Sequence, residues 1–367
     1  MLLEGALGET DVLTILLFYI PFLIFILYGQ RIQYHMALIE VGGFLSQLER
    51  MKNIARLETV NAFKRFAKDE KKVEPALNVL VDSFMILPES MDPFGIVKKV
   101  EHVVNVRDDK LFNDVRRLVR DDVDDSQVRN LENMLEATIA LETIYKIIRH
   151  YYLLARKMGS FMIVVQLQML TPLVFNEAKA YLSAVFAFKL GVPIGDGIGP
   201  LVINRLLTGN EAMRVIAKDT VVYETAIEGR KAYLVKAKGP GGNVGKPGDA
   251  ISKILESDDK VKVVIMVDAA LKLEGERSGS VADGVGAAIG GIGVEKFKIE
   301  EIATKKRVPV YAVVIKQSLL EAISAMRKEV ADAVEEVHKR IMRIIRTTTS
   351  EGDSVVIAGI GNTIGIP

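Results

Sequence analysis

The sequence predicts an α/β protein with an N-terminal transmembrane helix, an all-α middle module and a C-terminal three-layer α/β domain with a mostly parallel sheet. Three observations lead to this prediction. An uncharged apolar run fills Val12 to Tyr28, apolar residues recur at spacings of three and four over 31–158, and β-branched runs alternate with helical segments after Gly191. The predicted parts are residues 1–30, 31–190 and 191–367.

The composition excludes several kinds of site. The chain has 367 residues, a net charge of +1 and no cysteine, so disulfides, thiolate nucleophiles and cysteine-bound zinc are ruled out. Because the charges are balanced along the chain, we expect no nucleic-acid partner. No two of the four histidines stand at metal-ligand spacing, and we predict no metal site. The sequence specifies no cofactor, and its many charged residues fit a thermophile.

The N-terminal apolar run has the features of a membrane anchor. Val12 to Tyr28 contains 17 residues without a charge, the short end of the range that crosses ~30 Å of hydrocarbon. Arg31, Arg50 and Lys52 follow it, which places the rest of the chain in the cytoplasm by the positive-inside rule. A cleaved signal peptide fits poorly, because no basic segment precedes the run. We therefore expect a single-pass cell-membrane protein that contacts lipid.

A second apolar run, Phe161 to Phe175, belongs to the middle module. It has 15 residues and includes Gln166 and Gln168, so we expect a buried or interfacial helix rather than a span. The helical pattern continues to Leu190. These helices beside a short anchor leave more apolar surface than a monomer should expose, and we expect a closed homo-oligomer. The middle module shows no catalytic constellation and reads as an oligomerisation or spacer module.

The last part alternates strand and helix patterns. Two β-branched runs flank Glu228-Gly229-Arg230 and predict a hairpin. Buried parallel strands are typically continuous apolar runs, and three such runs follow. They are Lys262 to Val267, Val308 to Ile315 and Ser354 to Ala358. An amphipathic pattern predicts one long helix from Leu319 to Arg346.

Three motifs stand at strand ends or in adjoining loops. They are GDGIGPLV at 195–202, VDAA at 267–270 and GIGN at 359–362. Because ligands of α/β sheets bind beyond the carboxyl ends of strands, we expect Asp196 and Asp268 to face each other across one cleft. The loops expected to support this pair contain Gly195, Gly197, Gly199, Gly359, Gly361 and Asn362.

Together these motifs resemble two related families, the hydrogenase-maturation endopeptidases and the germination protease of spore-forming bacteria. In both, a strand ending in G-x-G-N leads to an acidic residue and G-x-G-P-x-V, and a later strand ends in D-A. The resemblance covers about residues 193–366 and includes the pattern from Gly286 to Lys296. Here G-x-G-N comes last instead of first. The resemblance therefore implies a circular permutation, or a final strand supplied by a neighbouring subunit.

The resemblance to the germination protease implies an aspartate pair that shares one proton. One carboxylate would activate a water while the other donates to the scissile carbonyl, and we assign these roles to Asp196 and Asp268. The hydrogenase peptidases would imply a metal held by two carboxylates and a histidine, but no histidine follows Asp268 before His338. The whole chain also resembles an archaeal membrane-protein family without an assigned activity.

Two functions follow from these expectations. The first is a membrane-anchored, cytoplasm-facing, peptidase-like protein that hydrolyses protein or peptide substrates with its aspartate pair. The alternative is a non-catalytic homo-oligomeric membrane scaffold with a hydrolase-like fold. Asp196 could also be an ordinary turn or helix-capping residue, and Asp268 a strand end capped by backbone N–H groups. The glycine-rich loop from Gly239 to Lys246 could bind an anion at the start of the next helix.

Overall fold

The N-terminal half of the protein is helical throughout. The computed structural model describes residues 15–83, 85, 86, 88, 95–291 and 293–367. A π-helical turn at Ile15–Tyr19 leads into the first helix. The helices of this half are α1 (Ile20–Phe66), α2 (Glu70–Val81), α3 (Ile96–Leu118), α4 (Asp125–Met158) and α5 (Phe161–Leu190). The periodicity of the sequence predicted this helical character correctly.

The structure describes the second apolar run completely and the first only in part. Residues 12–14 of the predicted anchor lie outside the described residues, and the side chains described between Leu17 and Tyr28 are exposed. Within the described part of the chain, α5 is the one helix long and apolar enough to cross a membrane, judged by length and composition alone. Only 17% of its most apolar window is buried. The run expected to be buried or interfacial is therefore part of a longer helix, most of whose residues are half-buried or exposed.

The chain forms two compact units. The first contains the described residues up to Lys52 together with Glu142–Ala178, and the second contains Asn53–Leu141 and Lys179–Pro367. Within the second unit, the hydroxyls of Thr59 and Thr138 lie 2.8 Å apart and join α1 to α4. Helices α2, α3 and the first half of α4 thus belong to the same unit as the C-terminal sheet.

The C-terminal part contains a seven-stranded sheet with helices on both faces. Its strands are β1 (Met213–Ala217), β2 (Thr220–Ile227), β3 (Arg230–Ala237), β4 (Val261–Leu271), β5 (Val281–Val285), β6 (Val310–Gln317) and β7 (Ser354–Gly359). Its helices are α6 (Ile198–Leu206), α7 (Pro247–Ser257), α8 (Val294–Lys306), α9 (Leu319–Ile323), α10 (Lys328–Asp332) and α11 (Val334–Thr348). Helices α7 and α8 pack on one face, whereas α6, α10 and α11 pack on the other.

The sheet is mixed, which corrects the expectation of a mostly parallel sheet. Its strand order is β1-β2-β3-β7-β4-β6-β5. Only the four central strands, β3, β7, β4 and β6, run parallel to one another. The pairs β1–β2 and β2–β3 are antiparallel because tight turns join them, as at Glu228 and Gly229 between β2 and β3. The pair β5–β6 is antiparallel as well, although its connection contains helix α8. The short edge strands β1 and β5 carry weak patterns that the sequence analysis did not detect.

The long helix predicted from Leu319 to Arg346 is wrong, because three separate helices occupy this segment. Ser318 starts α9 with a capping box, and the helix ends at Ile323. The chain then runs extended, where Met326 N–H donates to the carbonyl of Pro193 at 2.7 Å and Gly195 N–H donates to Ser324. The backbone leaves the helix to pair with the segment that carries the GDG motif. Amphipathic periodicity does not reveal such a long-range pairing.

The final strand pairs within its own chain. β7 lies between β3 and β4, with Gly359 in register with Lys236 on one side and Val267 on the other. The swapped arrangement, in which a neighbouring subunit supplies this strand, is therefore not needed to complete the sheet. Strand β7 is buried along its whole length, as expected for a central parallel strand.

Glycines allow α6 to lie directly on the end of β7. A Cβ atom on Gly199 would stand 2.2 Å from the carbonyl oxygen of Ile360, and one on Gly359 would stand 2.3 Å from the carbonyl oxygen of Gly199. These neighbours are backbone atoms, which cannot rotate away as a side chain can. Any side chain at either position would push the helix off the strand.

Replacing Gly199 with alanine should therefore destabilise the protein. We expect Gly199→Ala to lower the free energy of unfolding by about 3 kcal/mol, as overpacking of a tight interior does. The measurement is denaturant unfolding of the detergent-solubilised chain followed by circular dichroism. The matched control is Gly284→Ala on the exposed edge strand β5, where the new Cβ meets its nearest neighbour at 4.0 Å. It should stay within about 0.5 kcal/mol of wild type, and equal effects would contradict the tight contact.

Candidate functional site

The candidate site lies at the carboxyl end of the pairing between β4 and β7, where β7 ends and β4 continues beside β6. Val267 and Gly359 are paired in register, and the N–H of Ile360 donates to the carbonyl of Val267 at 2.8 Å. Asp268 follows Val267 directly, so its side chain emerges at the end of this pairing. Parallel strands bring their carboxyl ends to the same edge, which explains why sequence motifs far apart in the chain converge here.

Asp196 reaches the same place from the turn before α6. The turn Gly195–Gly197 precedes the helix, and the Oδ2 atom of Asp196 accepts a hydrogen bond from Asn362 N–H at 2.8 Å. Gly361 adopts φ +128°, and a Cβ atom there would lie 1.9 Å from the carbonyl oxygen of Asp196. The GDG and GIGN motifs are thus in direct backbone contact, which requires glycine at position 361.

The two aspartates line one cavity of about 430 Å³. This volume is within the usual range for small-molecule and peptide-side-chain pockets. Ile360 and Gly361 line the cavity as well, whereas the side chain of Asn362 is used in the turn that follows. Asn362 Oδ1 accepts from Ile364 N–H at 2.9 Å. The structure therefore brings Asp196, Asp268 and Gly361 to the cavity and places Asn362 beside it as a backbone donor.

The supporting glycines have different roles. A Cβ atom on Gly195 would meet the carbonyl oxygen of Glu321 at 2.3 Å, and one on Gly197 would meet that of Asn362 at 2.7 Å. Gly199 and Gly359 form the contact between α6 and β7 described above. These four glycines hold the backbone around the aspartates, and none of them lines the cavity.

Asp268 is an acid in an unfavourable place for a negative charge. Its side chain is 7% exposed, and it accepts hydrogen bonds from the N–H groups of Ala269, at 2.7 Å, and Gly290. Burial and the neighbouring charge of Asp196 nevertheless raise the pKa of Asp268 to about 8. Backbone N–H groups therefore do bond to Asp268, as in the alternative of a capped strand end. Those bonds do not lower its pKa enough to keep the carboxyl ionised at neutral pH.

Asp196 is not a helix cap. The turn that contains it and the following helix α6 have no side-chain capping bond, so the capping alternative is not supported. Burial raises the pKa of Asp196, and the hydrogen bond from Asn362 N–H acts in the opposite direction. Among the described residues, the donor to this carboxyl is Asn362, which is distant in the chain.

The sequence analysis missed a second set of cavity residues. Glu101, Asn105 and Asp108 of α3 line the cavity together with Glu295 of α8 and Lys246 of the glycine-rich loop. The three α3 residues stand four and three positions apart, so they share one helix face. These polar residues on one helix face are visible in the sequence, but no local sequence pattern indicated that they would line a cavity.

The glycine-rich loop does not leave a free anion site. At the start of α7, Gly248 N–H donates to Glu295 Oε2 at 2.7 Å, so a carboxylate of the same chain takes the position expected for a bound anion. Burial raises the pKa of Glu295 even though this N–H favours its ionised form. The start of α7, directly after the loop, is thus bonded to α8.

A cluster of three carboxylates beside the cavity already contains a cation. The oxygens of Glu101, Asp249 and Glu295 lie within 4.8 Å of one another. Lys298 Nζ donates to Asp249 at 2.6 Å, contacts Glu101, and stands 3.6 Å from Glu295. No histidine is among the described residues that line the cavity. The donor set thus fits an internal ammonium group, and it does not form the carboxylate–histidine set of a peptidase metal.

The raised pKa of Asp268 predicts an inverse dependence of stability on pH. The folded state binds this proton more tightly than the unfolded chain, whose aspartate pKa is about 3.9. The contribution is therefore full below about pH 4 and is lost as pH rises through about 8. Asp268→Asn removes the titration and keeps an acceptor for Ala269 N–H. Relative to wild type, the variant should gain roughly 1 to 4 kcal/mol of unfolding free energy between pH 5 and pH 8.

Denaturant unfolding at both pH values measures this difference. The control is Asp332→Asn, an exposed aspartate on α10, which should follow the wild-type pH dependence. Parallel curves for Asp268→Asn and wild type would contradict the raised pKa.

Comparison with known proteins places the whole chain in one family. No curated protein matches it at a significant level. Residues 15–191 match the N-terminal domain of a protein of unknown function (DUF1512), and residues 194–367 match the C-terminal domain of the same family. These two matches together span nearly the entire sequence, and the chain therefore belongs to the DUF1512 family.

Proposed function

We propose that this protein is a membrane-associated, peptidase-like hydrolase that uses Asp196 and Asp268 as an acid–base pair. The observation that carries the proposal is the joint placement of both carboxyls in one cavity, with the pKa of Asp268 raised to about 8 partly by the charge of Asp196. Two close carboxyls cannot both ionise cheaply, so one proton is retained by the pair at neutral pH. This is the state that an aspartate-pair hydrolase requires.

The proposed reaction begins with a water between the two carboxyls. The Asp196 carboxylate takes a proton from the water, whose oxygen attacks the scissile carbonyl carbon, while protonated Asp268 donates to the carbonyl oxygen. A neutral gem-diol forms. Asp196 then gives its proton to the amide nitrogen as the C–N bond breaks, and Asp268 takes a proton from the diol. Both side chains return to their starting states.

Membrane association is the second part of the proposal. Helix α5 exposes Met162, Met169, Leu170 and Leu173, which are apolar residues that water solvates poorly. Lipid, or a further copy of the chain, would cover this face. The same surface also favours the non-catalytic alternative, a homo-oligomeric membrane scaffold. The two functions differ in what they require of the aspartates, so substitutions at these positions separate them.

Asp196→Asn and Asp268→Asn should each abolish peptide hydrolysis. Losing either proton-transfer group should lower kcat by about 10²- to 10⁴-fold. Wild-type activity should also fall as pH rises through about 8, because Asp268 then loses the proton it donates. The assay is hydrolysis of a quenched fluorescent casein by the full chain in detergent, with Asp332→Asn as the control. A wild-type rate in either cavity variant would reject the mechanism, and an inactive wild type would favour the scaffold.

Charges on the exposed face of α5 should weaken membrane binding. Met169 and Leu173 stand four residues apart on one helix face and are 73% and 68% exposed. Carboxylates at both positions would each cost about 2 kcal/mol or more in a bilayer, so the Met169→Glu/Leu173→Glu double variant should float less with liposomes in a density gradient. The control is Met213→Glu on the exposed edge strand β1. Equal flotation of the double variant and wild type would place α5 off the membrane.

A further inference from the structure

One wall of the aspartate cavity, formed by Asn105 and Glu295, carries two hydrogen-bond acceptors without donors. Asn105 Oδ1 and Glu295 Oε1 are both buried, and neither has a hydrogen-bond partner within the described part of the chain. Glu295 Oε1 lies 3.6 Å from Lys298 Nζ, which is too long for a hydrogen bond. Both residues line the cavity. Buried acceptors are normally satisfied, so this wall is suited to a ligand that supplies N–H groups.

The charge of the cavity favours the same kind of ligand. Among the described residues, its lining contains one amine, that of Lys246, and five carboxyl groups, those of Glu101, Asp108, Asp196, Asp268 and Glu295. With Asp268 protonated, four acidic side chains remain against three cations, which are Lys246, Lys298 and Arg107, the last of which lies 3.4 Å from Asp108. A cavity of this kind attracts cations and concentrates them.

A metal ion is the weaker fit for this wall. A divalent cation would need the oxygens of Glu101, Asp249 and Glu295, and the ammonium of Lys298 already lies within 4 Å of all three side chains. Among the described residues of the cavity, the acceptors without a hydrogen bond are one amide oxygen and one carboxylate oxygen. Such acceptors suit the several N–H groups of a guanidinium or ammonium.

We infer that Asn105 and Glu295 form a subsite for an arginine or lysine side chain of the peptide substrate. The inference rests on the proposed function, because it places the substrate backbone at Asp196 and Asp268. The wall is divided between two parts of the chain, since Asn105 belongs to helix α3 and Glu295 to helix α8 beside the sheet. The helical half thus contributes selectivity to chemistry carried out at the strand ends.

The test compares a cationic side chain with its neutral isostere. Two quenched fluorescent decapeptide libraries carry arginine or citrulline at one fixed position, with lysine and arginine absent elsewhere. The full chain in detergent should cleave the arginine library with a kcat/KM about tenfold or more above that for the citrulline library. Binding of the same two libraries to Asp268→Asn, measured by fluorescence anisotropy, should show the same preference without cleavage.

Two substitutions at Asn105 should change this preference in opposite directions. Asn105→Leu removes the acceptor at similar size and should reduce the ratio of arginine to citrulline towards one. Asn105→Asp adds a carboxylate at the same size and should raise it. A general folding defect cannot produce both results. Glu295→Gln should also lower the ratio, whereas the control Glu300→Gln, exposed on the same helix α8, should leave it unchanged.

The two readouts separate this inference from the proposed function. Cleavage with equal rates for both libraries would overturn the cationic subsite and leave the hydrolase standing. If arginine peptides bind preferentially but the wild-type chain cleaves neither library, the subsite is supported and the hydrolase is rejected. Equal binding of both libraries, with or without cleavage, would overturn the subsite.

Discussion

The candidate site depends on the backbone contact between α6 and the end of β7. Gly199 and Gly359 lack the Cβ atoms that would separate these elements, so α6 lies directly on the strand. This contact sets the position of the turn that carries Asp196, and Asn362 N–H holds the carboxyl there. Asp268 follows on the neighbouring strand β4. Both aspartates reach one cavity because three backbone segments approach more closely than side chains would allow.

The fold keeps an acid where its charge is disfavoured. Burial alone would raise the pKa of Asp268, and the charge of Asp196 raises it further, while the N–H groups of Ala269 and Gly290 act against both. A surface carboxylate of ordinary pKa could not donate a proton at neutral pH. The free energy needed to hold such a group comes from the two apolar cores on either face of the sheet, which are fully buried over most of their residues.

The helical half contributes residues to the site and also contains the apolar helix α5. Helix α3 lies against α8, with Glu101 contacting Lys298, and its polar face completes the cavity. Helix α5 instead exposes apolar side chains. The polar residues of α3 and the apolar residues of α5 thus give the helical half two different kinds of surface.

The sequence by itself determined the hairpin and the three long apolar strands, the three motifs at their ends and the two aspartates, because apolar runs and short motifs are local patterns. It did not determine that the edge strands are antiparallel, that residues 324–327 leave the helix to pair with 193–195, or that Asn105 and Glu295 face the aspartates. Those features depend on contacts between segments many residues apart, where hydrogen bonding to a distant backbone outweighs local periodicity. Only the tertiary structure decided them, since a polar side chain acquires its role from the surface it is packed against.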